Sequence, residues 1–285
     1  MVDRDWKATI DGVTDEMTTS REASADHLLL HGNVALVIGH PGHELRIYHW
    51  LEIARPLTFV LTDGSGREQR SRLPSTAKVL RETGAKPAPI FGLWSDAQAY
   101  EILLTGNLDA LIGVTRDLAN AFLENDIRAV AADAMEGFNP THDLCRYLTT
   151  AAILIAEREA GHRIANFDFP LVGLPDAAPA ALRDKCLRLE LDGHALERKR
   201  AAAENYPEMK IEVEAAISRF GLQVFAIELF RPVTSDLAMT LSDEPFYETH
   251  GENRVKEGRY SEVIRYRQHV APLMRALYDK LSLTA

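Results

Sequence analysis

Four short apolar runs, each followed by a stretch of helical periodicity, constrain this chain more than any other feature of it. They cover residues 34–38, 57–61, 90–93 and 127–132. Each has the length of a strand, is apolar and often β-branched, and ends at turn-forming or polar residues. Between them the apolar positions recur at helical spacing. Leu45, Tyr48, Leu51 and Ala54 stop at Arg55-Pro56, and Leu73, Ala77 and Leu80 close at Gly84. Leu111, Ile112, Thr115, Leu118, Ala119 and Phe122 share one face of a helix over 108–125, and a long helix runs from His142 to Ala160. This repeated alternation predicts an α/β fold, a mostly parallel sheet with helices on both faces. All strand ends of such a sheet emerge on one edge, where open α/β sheets place ligands.

The residues delivered to that edge are polar. After the first run come His40 and His43, in Gly39-His40-Pro41-Gly42-His43-Glu44, and after the second comes Asp63 in a glycine-rich loop. Asp96 follows the third, and Asp133 to His142 follow the fourth. Imidazole ligates zinc well, and two histidines three residues apart across a turn can face one point. Beyond Gly161 the alternation weakens. The pattern predicts strands near 167–174, 187–191 and 224–230, one charged helix over 193–220, and a closing helix over 261–283. Glu228 lies inside an apolar strand, so its carboxylate needs a partner, expected to be an arginine. Residues 243–260, with Tyr247, His250 and Arg259, read as a lid or a solvated loop. Residues 1–33 read as an N-terminal extension with one helix near 20–30, and 34–285 as a single domain with an elaborated C-terminal part.

Composition excludes more than it selects. With 285 residues, 46% hydrophobic and 26% charged, the chain can bury a sizeable core. A net charge of −10 argues against nucleic-acid binding. Two cysteines, Cys145 and Cys186, without CxxC spacing argue against a disulfide scaffold and for a reducing compartment. No apolar run approaches a membrane span, and Asp3, Arg4 and Asp5 do not open a signal peptide, so a cytoplasmic location is expected. The sequence leaves a homo-oligomer open.

His40-Pro41-Gly42-His43-Glu44 after a strand resembles the HPDDE motif of the LmbE-like, or PIG-L-like, zinc-dependent N-deacetylases. Leu61-Thr62-Asp63-Gly64, then Arg72, then the segment ending at Trp94-Ser95-Asp96 are similar to that family's next segments. Asn139-Pro140-Thr141-His142 resembles its HPDH motif, with weaker echoes at residues 199–206 and 225–230. The resemblance covers residues 34–231 and implies a Rossmann-like fold and removal of an acetyl group from an N-acetylated, sugar-like small molecule. Carried over by position, the zinc ligands are His40, His43 and His142, the middle one an imidazole where the family has a carboxylate. Three protein ligands plus water is the open arrangement of catalytic zinc. Two positions depart from the family: its general base is here Gly42, and the histidine that supports its oxyanion is Asn139.

Asparagine can donate to an oxyanion, whereas glycine accepts no proton, and loss of a base costs roughly 10²–10⁴-fold. Glu136 is the first substitute, followed by Asp63 and Glu44. Asp63, Arg72 and Asp96 are the substrate-binding candidates. Each also has a plainer reading: Asp63 as a turn former, Arg72 as a solvated helix-start residue, Asp96 as a helix cap, Glu44 as a partner of the helix dipole. The expectation is a Zn2+-dependent hydrolase of N-acetyl-sugar type. The alternatives are a metal-binding relative with another reaction or ligand, and a non-enzymatic protein on the same fold.

Overall fold

The computed structural model describes residues 24–66, 69–233, 241 and 243–283. The start of the helix expected near residue 20 lies outside them. In chain order the elements are α1 (Ala25–His31), β1 (Val34–Ile38), α2 (Tyr48–Ala54), β2 (Leu57–Thr62), α3 (Leu73–Thr83), β3 (Lys86–Trp94), α4 (Asp96–Thr105), α5 (Leu108–Glu124) and β4 (Ala129–Asp133). There follow α6 (Pro140–Ala160), β5 (Ala165–Phe169), β6 (Leu187–Glu190), α7 (Gly193–Glu204), α8 (Lys210–Phe220), β7 (Ile227–Pro232), α9 (Phe246–Lys256) and α10 (Ala271–Lys280). The strands form one seven-stranded sheet in the order β3-β2-β1-β4-β5-β7-β6. β3, β2, β1, β4 and β5 run parallel, and β7 pairs antiparallel to both β5 and β6. The chain therefore winds outward from β1 through β2 to β3, then returns to lay β4 on the other side of β1. That reversal is the switch point at which doubly wound sheets bind ligands.

Alternation along β1 fills both faces. Ala35 and Val37 pack with Leu118, Leu148 and Leu277 of α5, α6 and α10, while Leu36 and Ile38 pack with Leu29, Trp50 and Leu80 of α1, α2 and α3. Every residue of β1 and of β4 is buried, as parallel strands covered on both sides require. β3 begins four residues before the expected start because Pro87 and Pro89 lie on an edge strand, where a missing N–H costs no ladder bond. α4 was foreseen only as a helix start at Asp96. Ser95 caps it in a reciprocal box with Gln98, so Asp96 is a first-turn residue and not the cap.

Later elements correct the reading further. The single helix expected over 193–220 is two, α7 and α8, broken where Pro207 opens a 3-10 turn. The partner of Glu228 is a lysine, Lys199, at 2.9 Å. Residues 246–256 form α9 although their apolar periodicity is poor. The closing helix is confined to α10, preceded by a π-turn over Tyr266–Val270. Among the described residues no helix is long and apolar enough to cross a membrane.

Candidate active site

The loop after β1 carries His40 and His43, and α6, which follows β4, starts with Asn139 as its cap and His142 in its first turn. β1 and β4 are neighbours, so the switch point brings the three histidines together. Their ring centroids lie 5.5 Å (His40–His43), 5.3 Å (His40–His142) and 4.5 Å (His43–His142) apart.

Two of the rings are oriented through Nδ1. His40 Nδ1 meets Thr62 Oγ1 at 2.8 Å and Asp96 Oδ1 at 3.1 Å. His43 Nδ1 meets Asp133 Oδ2 at 2.9 Å. The same Asp133 oxygen accepts from Gly39 N at 2.7 Å, so one buried carboxylate ties the end of β4 to the loop that holds both histidines. A Cβ at Gly39 would approach that oxygen to 3.0 Å and Thr141 O to 3.2 Å, so a side chain there would push the carboxylate or the start of α6 back by a few tenths of an ångström. Sequence reasoning placed Asp133 at the edge without giving it a role. Its position at the end of a wholly apolar strand was the available signal.

Electrostatics favour uncharged rings. Burial, then the proximity of His40, holds the His43 imidazole well below the ordinary histidine range. Burial, followed by His43 and His40, does the same to His142. Burial pushes the Asp133 carboxyl up to about 7, against the hydrogen bond from Gly39. Partial burial raises Asp96 too, but the hydrogen bond and charge of His40 outweigh it and leave Asp96 below the usual carboxylate range. Neutral imidazole is the form that ligates a metal.

Nε2 of His40 and Nδ1 of His142 are buried without hydrogen-bond partners. Three imidazoles sharing one tetrahedral ion, with Zn–N bonds of about 2.0–2.1 Å, hold their ring centres roughly 5 Å apart, and these rings stand at that separation. In the side-chain arrangement as it stands, no group of three or more His, Cys, Asp or Glu among the described residues meets the geometry of a metal site. The donor set, the uncharged rings of His43 and His142 and the orphaned nitrogens fit a zinc ion, and the ring orientations do not converge on one.

The other candidates separate into those on the histidine cluster and those off it. Asp96, on His40, also accepts from Gly66 N at 2.8 Å and borders a cavity of about 1070 Å³ with mixed polar and apolar lining, together with Tyr100, Asn139, His250 and Tyr260. Asn139 Oδ1 accepts from Thr141 N at 2.8 Å, and its side chain reaches the same cavity. Asp63 Oδ1 accepts from Ser65 N at 2.9 Å, a turn contact. Arg72 points NH1 at Met209 Sδ, 3.1 Å away. Glu136 Oε2 accepts from the amides of Leu171 (3.1 Å) and Val172 (3.0 Å), and Glu136 borders neither of the two cavities that reach the histidines. Asp143 lies in the first turn of α6. It is buried, its carboxyl is pushed up to about 7 by burial, and Oδ1 accepts from Glu136 N and Gly137 N, which fixes the loop before α6.

Gly42 has a physical reason to be glycine here. Its φ is +106°, a left-handed backbone that costs side chains dearly, and a Cβ would lie 3.1 Å from Met209 Sδ. Where the resembling family has its base, this chain has an open backbone facing a thioether. Glu44, next in the loop, is fully buried, with burial pushing its carboxyl up to about 7, and Oε2 accepts from Gly42 N at 2.7 Å.

No protein-family model matches the chain, and no curated protein matches it. Among solved structures it is similar to the conserved protein TT1542 from Thermus thermophilus, with 18% identity, 74% of this chain and 99% of that one covered, and a TM-score of 0.49. It is also similar to a deacetylase of the teicoplanin biosynthetic pathway solved as a bog complex (14% identity, 72% of this chain and 100% of that one, TM-score 0.47). The zinc-inhibited form of teicoplanin deacetylase Orf2 gives 14% identity over the same shares and a TM-score of 0.43.

Proposed function

We propose that this chain is a zinc-dependent hydrolase that cleaves the amide of an N-acylated, sugar-like small molecule. The observation that carries the reading is the cluster of three histidines at the switch point, two of them held through Nδ1 by side chains of neighbouring strand ends. His40, His43 and His142 would hold the ion, after a reorientation of the rings within the cluster. What zinc supplies in such a place is Lewis acidity toward a carbonyl and activation of water. The remaining work falls to the chain. Asp133 and Asp96 keep His43 and His40 in the tautomer that offers Nε2, as carboxylates on ligand histidines do. Asn139, its Oδ1 already engaged by Thr141 N, donates from Nδ2 to the oxygen that gains charge as the amide carbonyl becomes tetrahedral. The cavity beside His40 receives the hydroxylated part of the substrate. Glu136 stays engaged with the backbone at 171–172 and does not act as the base.

Gly42, and the unconverged rings, favour a second reading: a relative that binds a ligand in this place without hydrolysing it. Metal analysis of the purified protein beside a His43→Ala variant tests the first reading. About one zinc per chain is expected in the parent, with thermal stability rising as zinc is added, and both features lost in the variant. No zinc in either protein, even after its addition, would remove the hydrolase mechanism. Zinc bound but no acid released from any N-acyl amide would leave the second reading.

A further inference from the structure

The histidine cluster lies between two cavities that differ in degree of polarity, the larger having the greater share of polar lining. His40 borders the larger one, whereas His43 and His142 border a second, smaller cavity of about 320 Å³. The second is walled by hydrocarbon. Leu171 and Val172 come from the segment after β5, Leu196 and Ala203 from α7, Val213, Ala216 and Ile217 from α8, with Gly42 and Met209 beside the histidines. Its charged neighbours are committed elsewhere. Arg46 donates to Pro170 O and Gly173 O, Lys199 Nζ to Arg46 O and Glu228, and Arg200 to Glu197 and Glu204, while Glu212 is exposed. None of these offers the convergent polar atoms that a sugar ring needs.

α8 supports the same conclusion from its own sequence. Val213, Ala216, Ile217 and Phe220 stand at helical spacing on one face, the pattern of a helix that buries an apolar stripe. Yet no residue of α8 is buried. Val213, Ala216 and Ile217 of the stripe face a cavity that the described residues leave unfilled. Phe138 borders both cavities, is 44% exposed, and stacks on Phe246 with centroids 5.0 Å apart and planes 6° apart. It forms a partition between them, with the histidines at the point where they meet.

We infer that the substrate is amphiphilic: an N-acyl amide whose acyl chain is longer than acetyl, with the chain in the apolar cavity and the polar amine portion in the larger one. This rests on the hydrolase reading and names the substrate class of that same site. In the reaction, the oxygen of water bonds to the acyl carbon and the C–N bond breaks. The amine leaves with a proton from that water, the carboxylic acid leaves as the other product, and nothing is oxidised or reduced. Gly42 is what lets the chain in. A side chain at that position would press on Met209, which shares the lining of this cavity with Gly42.

The test uses N-acetyl-, N-butanoyl-, N-hexanoyl- and N-octanoylglucosamine in two assays. Hydrolysis by the zinc-loaded protein gives kcat/KM for each, and calorimetric titration into metal-free protein gives binding without chemistry. Both should strengthen about three- to fourfold for each added methylene, the 0.8 kcal/mol of a buried CH2 expressed as a ratio. Ala216→Phe and, independently, Ala203→Leu should lower the octanoyl-to-acetyl ratio at least tenfold in both assays. Acetyl as the best substrate, with affinity flat along the series, would overturn the inference while leaving the hydrolase reading standing. Binding that grows with chain length, without hydrolysis of any member, would retain the cavity's ligand and remove the hydrolase reading.

Discussion

The sheet edge and the helical walls above it are built to different standards. At the edge, every residue of β1 and β4 is buried, and the polar groups between them are tied in pairs and threes. Asp133 reaches Gly39 N and His43, Thr62 reaches Gly39 O and His40, and Asp96 reaches His40 and Gly66 N. In the walls, no residue of α8 is buried, and the ring of Phe246 on α9 is 53% exposed. The contrast follows the two tasks. Groups that must meet reacting atoms need fixed geometry supported from behind, whereas surfaces that receive a variable ligand are completed by that ligand. Elements with few buried contacts also open at low free-energy cost, so on the proposed reading the walls can admit the substrate.

The comparison is tested most severely where wall and edge are joined. Glu228, fully buried on β7, accepts from His49 N and Trp50 N at the start of α2, each at 2.8 Å, and from Lys199 Nζ of α7 at 2.9 Å. Glu228→Gln keeps the size but strands the Lys199 ammonium, which burial already holds below its ordinary range. The expected loss is about 3–5 kcal/mol in urea unfolding, well beyond the roughly 0–1 kcal/mol of an exposed pair such as Arg198–Glu52. A loss under about 1 kcal/mol would mean that α7 is held by its apolar face alone, and the wall would be looser than its contacts imply.

Asp133→Asn probes the edge itself. Asparagine's carbonyl oxygen can still accept from both Gly39 N and His43 Nδ1, which share Oδ2 here. The substitution removes, however, the carboxylate charge that strengthens the bond to the ring and raises the ring's basicity toward a metal. Zinc affinity should fall about 10–100-fold, measured by competition with a chromogenic chelator, with the folded state retained. An unchanged affinity would show that His43 is positioned by its loop and not by β4.

The same division governs what could be read from the sequence. β1, β2, α3, α5, β4 and α6 follow from periodicity and their stop signals, because a parallel strand buried on both faces and an amphipathic helix write their burial directly into the chain. Those segments also bring His40, His43 and His142; the first two were legible as a pair after one strand, and His142 joined them as a ligand only through the resemblance of Asn139-Pro140-Thr141-His142 to a family motif. The carboxylates behind the rings were less legible. Asp133 and Asp143 stand among apolar neighbours, and only tertiary contact distinguishes a ring-holding or loop-holding aspartate from a helix-start residue. α4 was legible only at its start because its pattern is weak and its cap, Ser95, is a common residue. α7 and α8 merged because a single Pro207 was outweighed by continuous charge. The two-cavity arrangement was invisible, since Gly42, Phe138, Met209 and Ala216 come from four separate segments with no shared motif.

Gly42→Asp restores in letters what the resembling family has at this position and sharpens the distinction between edge and wall. The backbone there has φ +106°, and the new side chain meets Met209. The variant should lose about 1–3 kcal/mol of stability through strain, measured by thermal unfolding, and gain no hydrolysis, because the carboxylate is directed into the apolar cavity. Recovery of a base, seen as faster amide hydrolysis with a new acidic limb in the pH profile, would show instead that the loop adapts and that glycine is an accident of sequence.

The smallest effect is expected at Glu136. Its carboxyl is raised by burial, then drawn back down by the amides of Leu171 and Val172, both of which Oε2 accepts. Glutamine presents a carbonyl oxygen to the same two N–H groups, so Glu136→Gln preserves the clamp between the loop before α6 and the segment that lines the apolar cavity. Hydrolysis should stay within a few-fold of the parent, and the acyl-chain preference should be unchanged. A loss of roughly 10²–10⁴-fold, the size of a missing general base, would move Glu136 from the scaffold to the chemistry. It would also require the 171–172 segment to release it during turnover, making this part of the wall a moving piece of the active site.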